Sequence, residues 1–381
     1  MRSVTKSVWT SREKILAAAG CLALCLAFVG WGLFASLAAA AVPDDAAAKV
    51  DDVYITEDEV SQAIEQYRTA YSLTDDSSFA SALTSQNLNA SSFRQNIINE
   101  QALSLLIDKR AKELDLVPTD EEIEAGIESM RSSLTFGDSS VWEDTLSLYG
   151  MTEESVRSQV KVNLEKQALY EREVTRTEAT DDDGLSYAQN TLAGVSQKHV
   201  YRIMFTGDDA SERARECSDK LQSAAASATL SVEYFSQLAK EYSDEENVAQ
   251  TGGSFAWSVE IIDDDDLSSL LDTIDVGEAS EPSSVASDNN AQEILYCDTV
   301  YEFPDSSSIS ELSVSDVPAS LWDIVLSKAS EVLYNNSCDA YLSNLLARAK
   351  ITYYPMPDDA SYNVTLAATA SAGSSTGTAQ G

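Results

Sequence analysis

The sequence predicts an α+β protein, with a helix-rich first half and a second half that mixes strands and helices. In the first half, from residue 57 to about 170, apolar residues recur at helical spacing. In the second half, residues 199–205 instead alternate between two faces, the period of a strand. The 381-residue chain is 44% hydrophobic, which is too apolar for a mainly disordered chain and sufficient for two or three domains with cores.

The composition excludes several classes of function. The chain carries 63 acidic against 25 basic residues, for a formal net charge of −38. Because so negative a surface repels phosphate, we expect no nucleic-acid partner. A single histidine excludes histidine-rich metal sites and two-histidine zinc protease motifs. The sequence lacks a nucleophile elbow, a C-x-x-C pair and a phosphate-binding loop, and we predict neither metal nor cofactor.

The N-terminal segment has the features of a membrane anchor. Basic residues lie before the uncharged stretch 15–42, and Asp44 and Asp45 follow it. This stretch is longer than a signal-peptide core of ~7–15 residues and long enough for a spanning helix of ~20. We therefore predict a cytoplasmic N-terminus at 1–14, a single transmembrane helix at 15–42 and an extracytoplasmic remainder. Cleavage after the small residues 38–41, giving a secreted protein, is the alternative.

Capping motifs mark the helix starts of the first half. Thr56 with Glu59 opens one helix, and Thr119 with Glu122 opens another. Thr152 precedes a long helix in which apolar residues recur every four positions. We predict this half to be all helical.

The second half begins with a strand and ends with one. The first strand puts His199, Tyr201, Ile203 and Phe205 on one face, which we expect to be buried. Apolar stripes then predict two helices, paired glycines at 252–253 mark a tight turn, and a last strand lies near 292–300.

Three cysteines lie beyond the anchor, Cys217, Cys297 and Cys338. They are too few for a disulfide scaffold, so we expect small buried side chains. A Cys217–Cys297 bridge is the alternative.

The order of motifs in the second half resembles the parvulin-type peptidyl-prolyl isomerases. The strand with His199 and two helices precede Leu-Ala-x-x-Tyr-Ser-Asp at 238–244, Gly-Gly-x-x-x-Trp at 252–257, Gly-Glu-x-Ser-x-Pro at 277–282 and a final strand. The helical half, from Val50 to Val60 onward, resembles the N-terminal domain of SurA/PrsA-type exported foldases. Together the resemblance covers about residues 48–303.

This resemblance implies a domain plan. It places a SurA-like helical chaperone domain at 48–175, a linker at 176–196 and a parvulin-like domain at 197–303, built on a four-stranded antiparallel sheet. It also implies that residues 304–357 contain C-terminal helices that complete the chaperone domain. Residues 358–381, rich in Ala, Ser, Thr and Gly, predict a disordered tail.

The resemblance also implies a site. In parvulins a cup for the proline holds two histidines on neighbouring strands, a Cys or Asp after the Ser-Asp motif, and apolar side chains from the glycine loop and the next segment. The first histidine position falls on His199, the second on Gln292 and the Cys or Asp position on Glu245, which are the candidate catalytic residues. The candidate substrate-binding residues are Phe255, Trp257 and Leu267.

This chain departs from the family at its centre. With one histidine in the whole chain, a paired-histidine network cannot form, and His199 is alternatively a core residue. Three hypotheses remain open. The chain is an anchored chaperone that binds unfolded exported polypeptides, an active peptidyl-prolyl isomerase with an altered site, or a structural subunit that holds a partner near the membrane. An isomerase must bind the twisted X-Pro amide more tightly than its planar forms.

Overall fold

The computed structural model describes residues 42–134, 141–261, 264–285 and 288–364. These residues divide into two compact units, one formed by residues up to 175 together with residues from 336, and the other by residues 176–335. Apart from Val42, the predicted transmembrane segment lies outside the described residues. Within the described part of the chain, no helix is both long and apolar enough to cross a bilayer.

The first unit contains an antiparallel sheet of order β2-β1-β7. Its strands are β1 (Ala46–Val50), β2 (Val53–Thr56) and β7 (Ile351–Tyr353). Asp51 turns the chain between β1 and β2 with a φ of 51°. The prediction of an all-helical half was therefore wrong. The third strand comes from near the C-terminus, and its pairing with β1 joins residues too far apart in sequence for a local pattern to indicate it.

Helices surround this sheet. Their bounds are α1 (Glu57–Ala70), α2 (Asp76–Ser85), α3 (Ala90–Glu113), α4 (Asp120–Leu134), α5 (Trp142–Leu148) and α6 (Glu153–Glu173). The capping predictions are confirmed, since the Glu59 carboxylate accepts from the Thr56 amide at 2.6 Å and that of Glu122 from the Thr119 amide at 2.7 Å. At Thr152 the partner is the Ser155 hydroxyl, at 2.9 Å.

A buried ion pair ties the C-terminal segment into this unit. Arg94 on α3 donates through Nε and Nη2 to the two carboxylate oxygens of Glu57, at 2.9 and 2.6 Å. The Tyr362 hydroxyl also donates to Glu57, and only 1% of Tyr362 is exposed. The predicted disordered tail was thus wrong for residues 358–364, while its remainder lies outside the described residues.

The second unit is built on an antiparallel sheet of order β4-β3-β6-β5. Its strands are β3 (Ser196–Phe205), β4 (Ser254–Trp257), β5 (Ser283–Val285) and β6 (Asp288–Glu302). The four-stranded antiparallel sheet of the predicted fold class is confirmed, as is the α+β class itself.

Helices cover both faces of this sheet. Helices α8 (Ala210–Ala226) and α9 (Val232–Tyr242) pack on the face that carries Ile203 and Ile294. On the opposite face, Val200 and Leu295 pack with the apolar side of α11 (Asp265–Asp272). A short helix, α10 (Val248–Thr251), leads into the glycine turn. The sheet therefore has two cores.

Two segments differ from the predicted domain plan. The expected linker contains α7 (Asp181–Tyr187) and a π-helical turn (Ala188–Leu192), and Leu192 is buried with Trp257. The long helix α12 (Ala319–Arg348) begins in the second unit, where Leu321 joins the same cluster, and ends in the first. Buried apolar side chains of both segments pack in the second unit, Leu192 from the π-helical turn and Leu321, Trp322 and Val325 from the first part of α12.

The three described cysteines are buried and form no disulfide bond. Cys217 lies in the cluster beneath α8, whereas Cys297 lies in the cluster on the α11 face. The alternative of a Cys217–Cys297 bridge was therefore wrong.

Candidate functional site

Arg202, in the interior of β3, lies at the centre of the candidate site. Its Nε donates to Oε1 of Glu245 at 2.9 Å, and its Nη2 contacts the same oxygen. The guanidinium carbon lies 3.5 Å from the centre of the Phe255 ring. Three parts of the chain that are distant in sequence thus meet, namely β3, the residue after the Ser-Asp motif and the strand that follows the glycine turn.

The Ser-Asp motif is fastened to β3. The Ser243 hydroxyl accepts from the Met204 amide at 3.1 Å, and the Asp244 amide donates to the Met204 carbonyl at 2.8 Å. The Asp244 carboxylate accepts from the Thr206 amide at 2.7 Å and pairs with Arg213, which lowers the pKa of Asp244. The next side chain, Glu245, is thereby presented to Arg202.

The glycine turn positions Phe255 by a close backbone approach. The Arg202 amide donates to the Gly253 carbonyl at 2.7 Å. Gly253 has a φ of 87°, and a Cβ there would lie 3.0 Å from the Arg202 carbonyl oxygen. Only glycine fits this position without strain.

Glu293 on β6 completes the site. It pairs with Met204 across the sheet and is 4% exposed. Its Oε2 lies 3.7 Å from Nη1 of Arg202 and accepts no hydrogen bond from the described residues. Burial raises the pKa of Glu293 to about 7, against the attraction of Arg202 and with the help of the Asp264 and Glu245 charges. We call Arg202, Glu245, Phe255 and Glu293 the arginine cup.

The predicted site residues fall into separate places. Glu245 and Phe255 belong to the arginine cup, and Leu267 lies in the apolar cluster against which Phe255 packs. Gln292 does not join them, because it stands opposite Phe205 and its amide donates to the Ser284 hydroxyl at 3.1 Å.

His199 lies apart from the cup, in a network of its own. Its Nδ1 is 2.6 Å from Oδ1 of Asp298, and its Nε2 is 3.3 Å from the Ser254 hydroxyl. The Trp257 ring, which is 3% exposed, packs obliquely against the His199 ring, with 5.1 Å between the ring centroids. His199 pairs with Thr299, six strand positions from the Gln292 pair, or ~20 Å. The structure therefore does not bring His199 and Gln292 into one site.

Two residues of the cup, Arg202 and Glu293, were missed from the sequence. Each is a charged residue inside a predicted strand that is otherwise largely apolar, and their charges are opposite. That complementarity was the available signal. The first strand position of the family's site was assigned to His199 because it is the only histidine in the chain, although Arg202 lies three residues further along β3.

Known families match two regions of the chain. Residues 6–170 match the model of the SurA-like N-terminal domain, and residues 202–295 match that of the PPIC-type PPIase domain. The second match contains all four residues of the arginine cup, and it begins after His199. No curated protein matches the chain.

Solved structures of low identity also match. PrsA from Bacillus subtilis is 18% identical, with 81% of this chain and 94% of that one covered and a TM-score of 0.32. PrsA from Streptococcus pneumoniae is 16% identical, with 81% and 93% covered and a TM-score of 0.30. One of the two SurA-like chaperones PEB4 and Cj1289 from Campylobacter jejuni is 15% identical. The match covers 82% of this chain and 100% of that one, with a TM-score of 0.38.

The two family matches lie in the order in which the helical unit and the sheet unit occur. Together they agree with the motif order of the sequence and with the four-stranded antiparallel sheet. The chain joins a SurA-like N-terminal domain to a PPIC-type PPIase domain and thus belongs to the SurA/PrsA-type foldases.

Proposed function

We propose that this protein is an extracytoplasmic folding factor that binds unfolded exported polypeptides and is anchored in the cytoplasmic membrane by residues 15–42. The pairing of a SurA-like domain with a PPIase domain supports the first part. The basic residues before the uncharged stretch and the acids after it support the second. Its work is to hold chains that have not yet folded.

One observation favours binding over turnover, which is the position of Arg202. A prolyl isomerase needs an apolar surface for the proline ring and free polar groups for the twisted amide. Here the guanidinium covers the Phe255 ring, and Glu245 occupies two of its nitrogens. The cup is filled by the protein's own side chain, so the PPIase-type domain serves mainly as a binding module.

A second candidate function is prolyl isomerisation by this altered site. Glu293, whose pKa burial raises to about 7, sits beside the guanidinium. A carboxyl group that titrates near neutral pH can donate a hydrogen bond in its protonated form. Glu293 and Arg202 would then polarise the X-Pro amide together.

Suppression of aggregation tests the proposed function. The full chain in a nonionic detergent is added to an enzyme diluted from denaturant, and light scattering is followed. We expect scattering to fall as the chain approaches equimolar ratio, while detergent alone and an unrelated acidic protein have no effect. Unchanged scattering at a tenfold excess of folded chain would exclude the chaperone function and leave the isomerase and structural-subunit hypotheses.

Short X-Pro peptides test the second candidate. If the full chain accelerates cis/trans exchange and Glu293→Gln abolishes the acceleration, the altered site is an isomerase. An uncatalysed rate with folded protein leaves binding as the role of the cup.

A further inference from the structure

We propose that Glu245, Phe255 and Glu293 of the arginine cup form a binding site for cationic side chains of client polypeptides, guanidinium groups above all, and that Arg202 occupies this site until a client does. The proposal rests on the proposed function, since it presumes that unfolded polypeptides are bound. It goes further by naming the class of client side chain that the cup binds. This class is inferred from the contacts that Arg202 itself makes.

The contacts of Arg202 are those of a bound guanidinium ligand. A carboxylate oxygen accepts from two of its nitrogens, and an aromatic ring lies 3.5 Å below its central carbon. Charge-assisted hydrogen bonds to a carboxylate and stacking on an aromatic face are the two interactions that favour arginine over other side chains. A client arginine that replaced Arg202 would recover both.

The cup has more acceptor capacity than Arg202 uses. Glu293 is 4% exposed, yet its Oε2 accepts no hydrogen bond from the described residues and lies 3.7 Å from the nearest guanidinium nitrogen. A buried carboxylate oxygen without a donor is unfavourable. One guanidinium in the cup therefore faces two carboxyl groups, and a donor from a client would satisfy the second.

The cup is also accessible to a client. The side chains of Arg202 and Glu245 are 17% and 24% exposed, so solvent reaches this pair, whereas Glu293 is almost fully buried. Because a client guanidinium replaces an internal one, Glu245 has a guanidinium partner both before and after the exchange. The chain's charge of −38 adds a long-range attraction for basic segments.

Paired peptides test the proposal on the full chain in nonionic detergent. The probes are fluorescein-labelled Ala-Ala-Arg-Pro-Phe-Ala and the same peptide with citrulline, which keeps the shape of arginine but not its charge. Binding is measured by fluorescence anisotropy at 150 mM salt. We expect the arginine peptide to bind the wild type at least tenfold more tightly. In Arg202→Ala and Arg202→Gln, which lack the internal competitor, we expect that ratio to rise.

Two carboxylate variants locate the effect. Glu245→Gln and Glu293→Gln should each bring the ratio close to one, whereas Glu212→Gln, on the outer surface of α8, should leave it unchanged. Equal binding of the two peptides by wild type would overturn the proposal. So would a preference that persists in both cup variants, since this would trace it to the overall charge. Aggregation suppression with equal peptide binding would leave the proposed function standing and remove only this inference.

Discussion

Arg202 and Glu245 lie 43 positions apart in the sequence and are joined by a hydrogen bond of 2.9 Å between Nε and Oε1. The Ser-Asp motif brings Glu245 to the strand, and the glycine turn places Phe255 beneath the guanidinium. The cup of this PPIase-type domain is therefore organised around an ion pair.

Loss of Arg202 should destabilise the second unit. Arg202→Ala leaves Glu245 and Glu293 facing each other without a cation, so we expect the free energy of unfolding to fall by ~1–3 kcal/mol. Urea denaturation followed by circular dichroism measures it. Arg215→Ala, on the exposed surface of α8, is the matched control and should change stability by less than ~0.5 kcal/mol. Equal effects from the two variants would mean that the ion pair contributes nothing.

Glu293 should make stability depend on pH. Burial raises its pKa to about 7, so between the unfolded value of 4.5 and 7 the folded state binds more protons than the unfolded state. Stability from this group is full at low pH and is lost as pH rises through 7. Relative to Glu293→Gln, the wild type should lose ~1–3 kcal/mol between pH 5 and 8.

A second buried carboxyl serves as the control for that experiment. Burial also raises the pKa of Glu100, in the first unit, to about 7. Glu100→Gln should retain the pH dependence that comes from Glu293, and the double variant should lose both contributions. If the unfolding free energy of wild type and Glu293→Gln changed with pH in the same way, the pKa of Glu293 would not be raised by burial in the folded state.

Local signals in the sequence sufficed for much of the fold but not for the cup. The capping box of Thr56 and Glu59 acts over one helical turn and was predicted correctly. The cup depends instead on register. A slip of one residue turns a strand side chain to the other face, and that separates Gln292 from Glu293. On β3 the predicted alternation is kept, with the His199 and Tyr201 rings 5.4 Å apart between centroids, but the register shift that skips Asp298 lies on β6 and no local pattern indicates it.

Contacts between distant segments could not be predicted from periodicity, and only the family resemblance implied that a C-terminal segment returns to the helical half. The Glu57–Tyr362 hydrogen bond joins residues 305 positions apart, and β7 pairs with β1 across a similar span. Helical and strand periodicities describe only neighbouring residues, so neither pattern indicates which distant segment returns. The π-helical turn at 188–192 similarly lacks a recognisable pattern, although Leu192 is fully packed.

The C-terminal segment should stabilise the first unit through Tyr362. Tyr362→Phe keeps the ring but removes the donor to buried Glu57, and we expect a loss of ~1–3 kcal/mol in unfolding free energy. Tyr353→Phe is the control, because its hydroxyl donates to Asn99 at an exposed position and should matter by less than ~0.5 kcal/mol. If Tyr362→Phe is as stable as wild type, the segment 358–364 does not close this unit.

His199 should affect stability without affecting the cup. His199→Ala removes the partner of Asp298 and the ring that packs on Trp257, so we expect a loss of ~1–2 kcal/mol. The arginine-to-citrulline binding ratio should stay within twofold of wild type, whereas Glu245→Gln should lower it. If a folded His199→Ala protein bound the arginine and citrulline peptides equally well, His199 would have to be counted as part of the binding site.

The central claim is that this protein binds unfolded chains through the arginine cup. Arg202, which occupies the cup, prevents the cup from catalysing X-Pro isomerisation. This claim is tested most directly by refolding a small client whose slow phase is X-Pro isomerisation, a process of tens to hundreds of seconds without a catalyst. With the full chain present at substoichiometric to equimolar amounts, we expect the yield of folded client to rise and the rate constant of the slow phase not to increase. A slow phase that accelerates in proportion to substoichiometric protein, and no longer does so with Glu293→Gln, would contradict the claim.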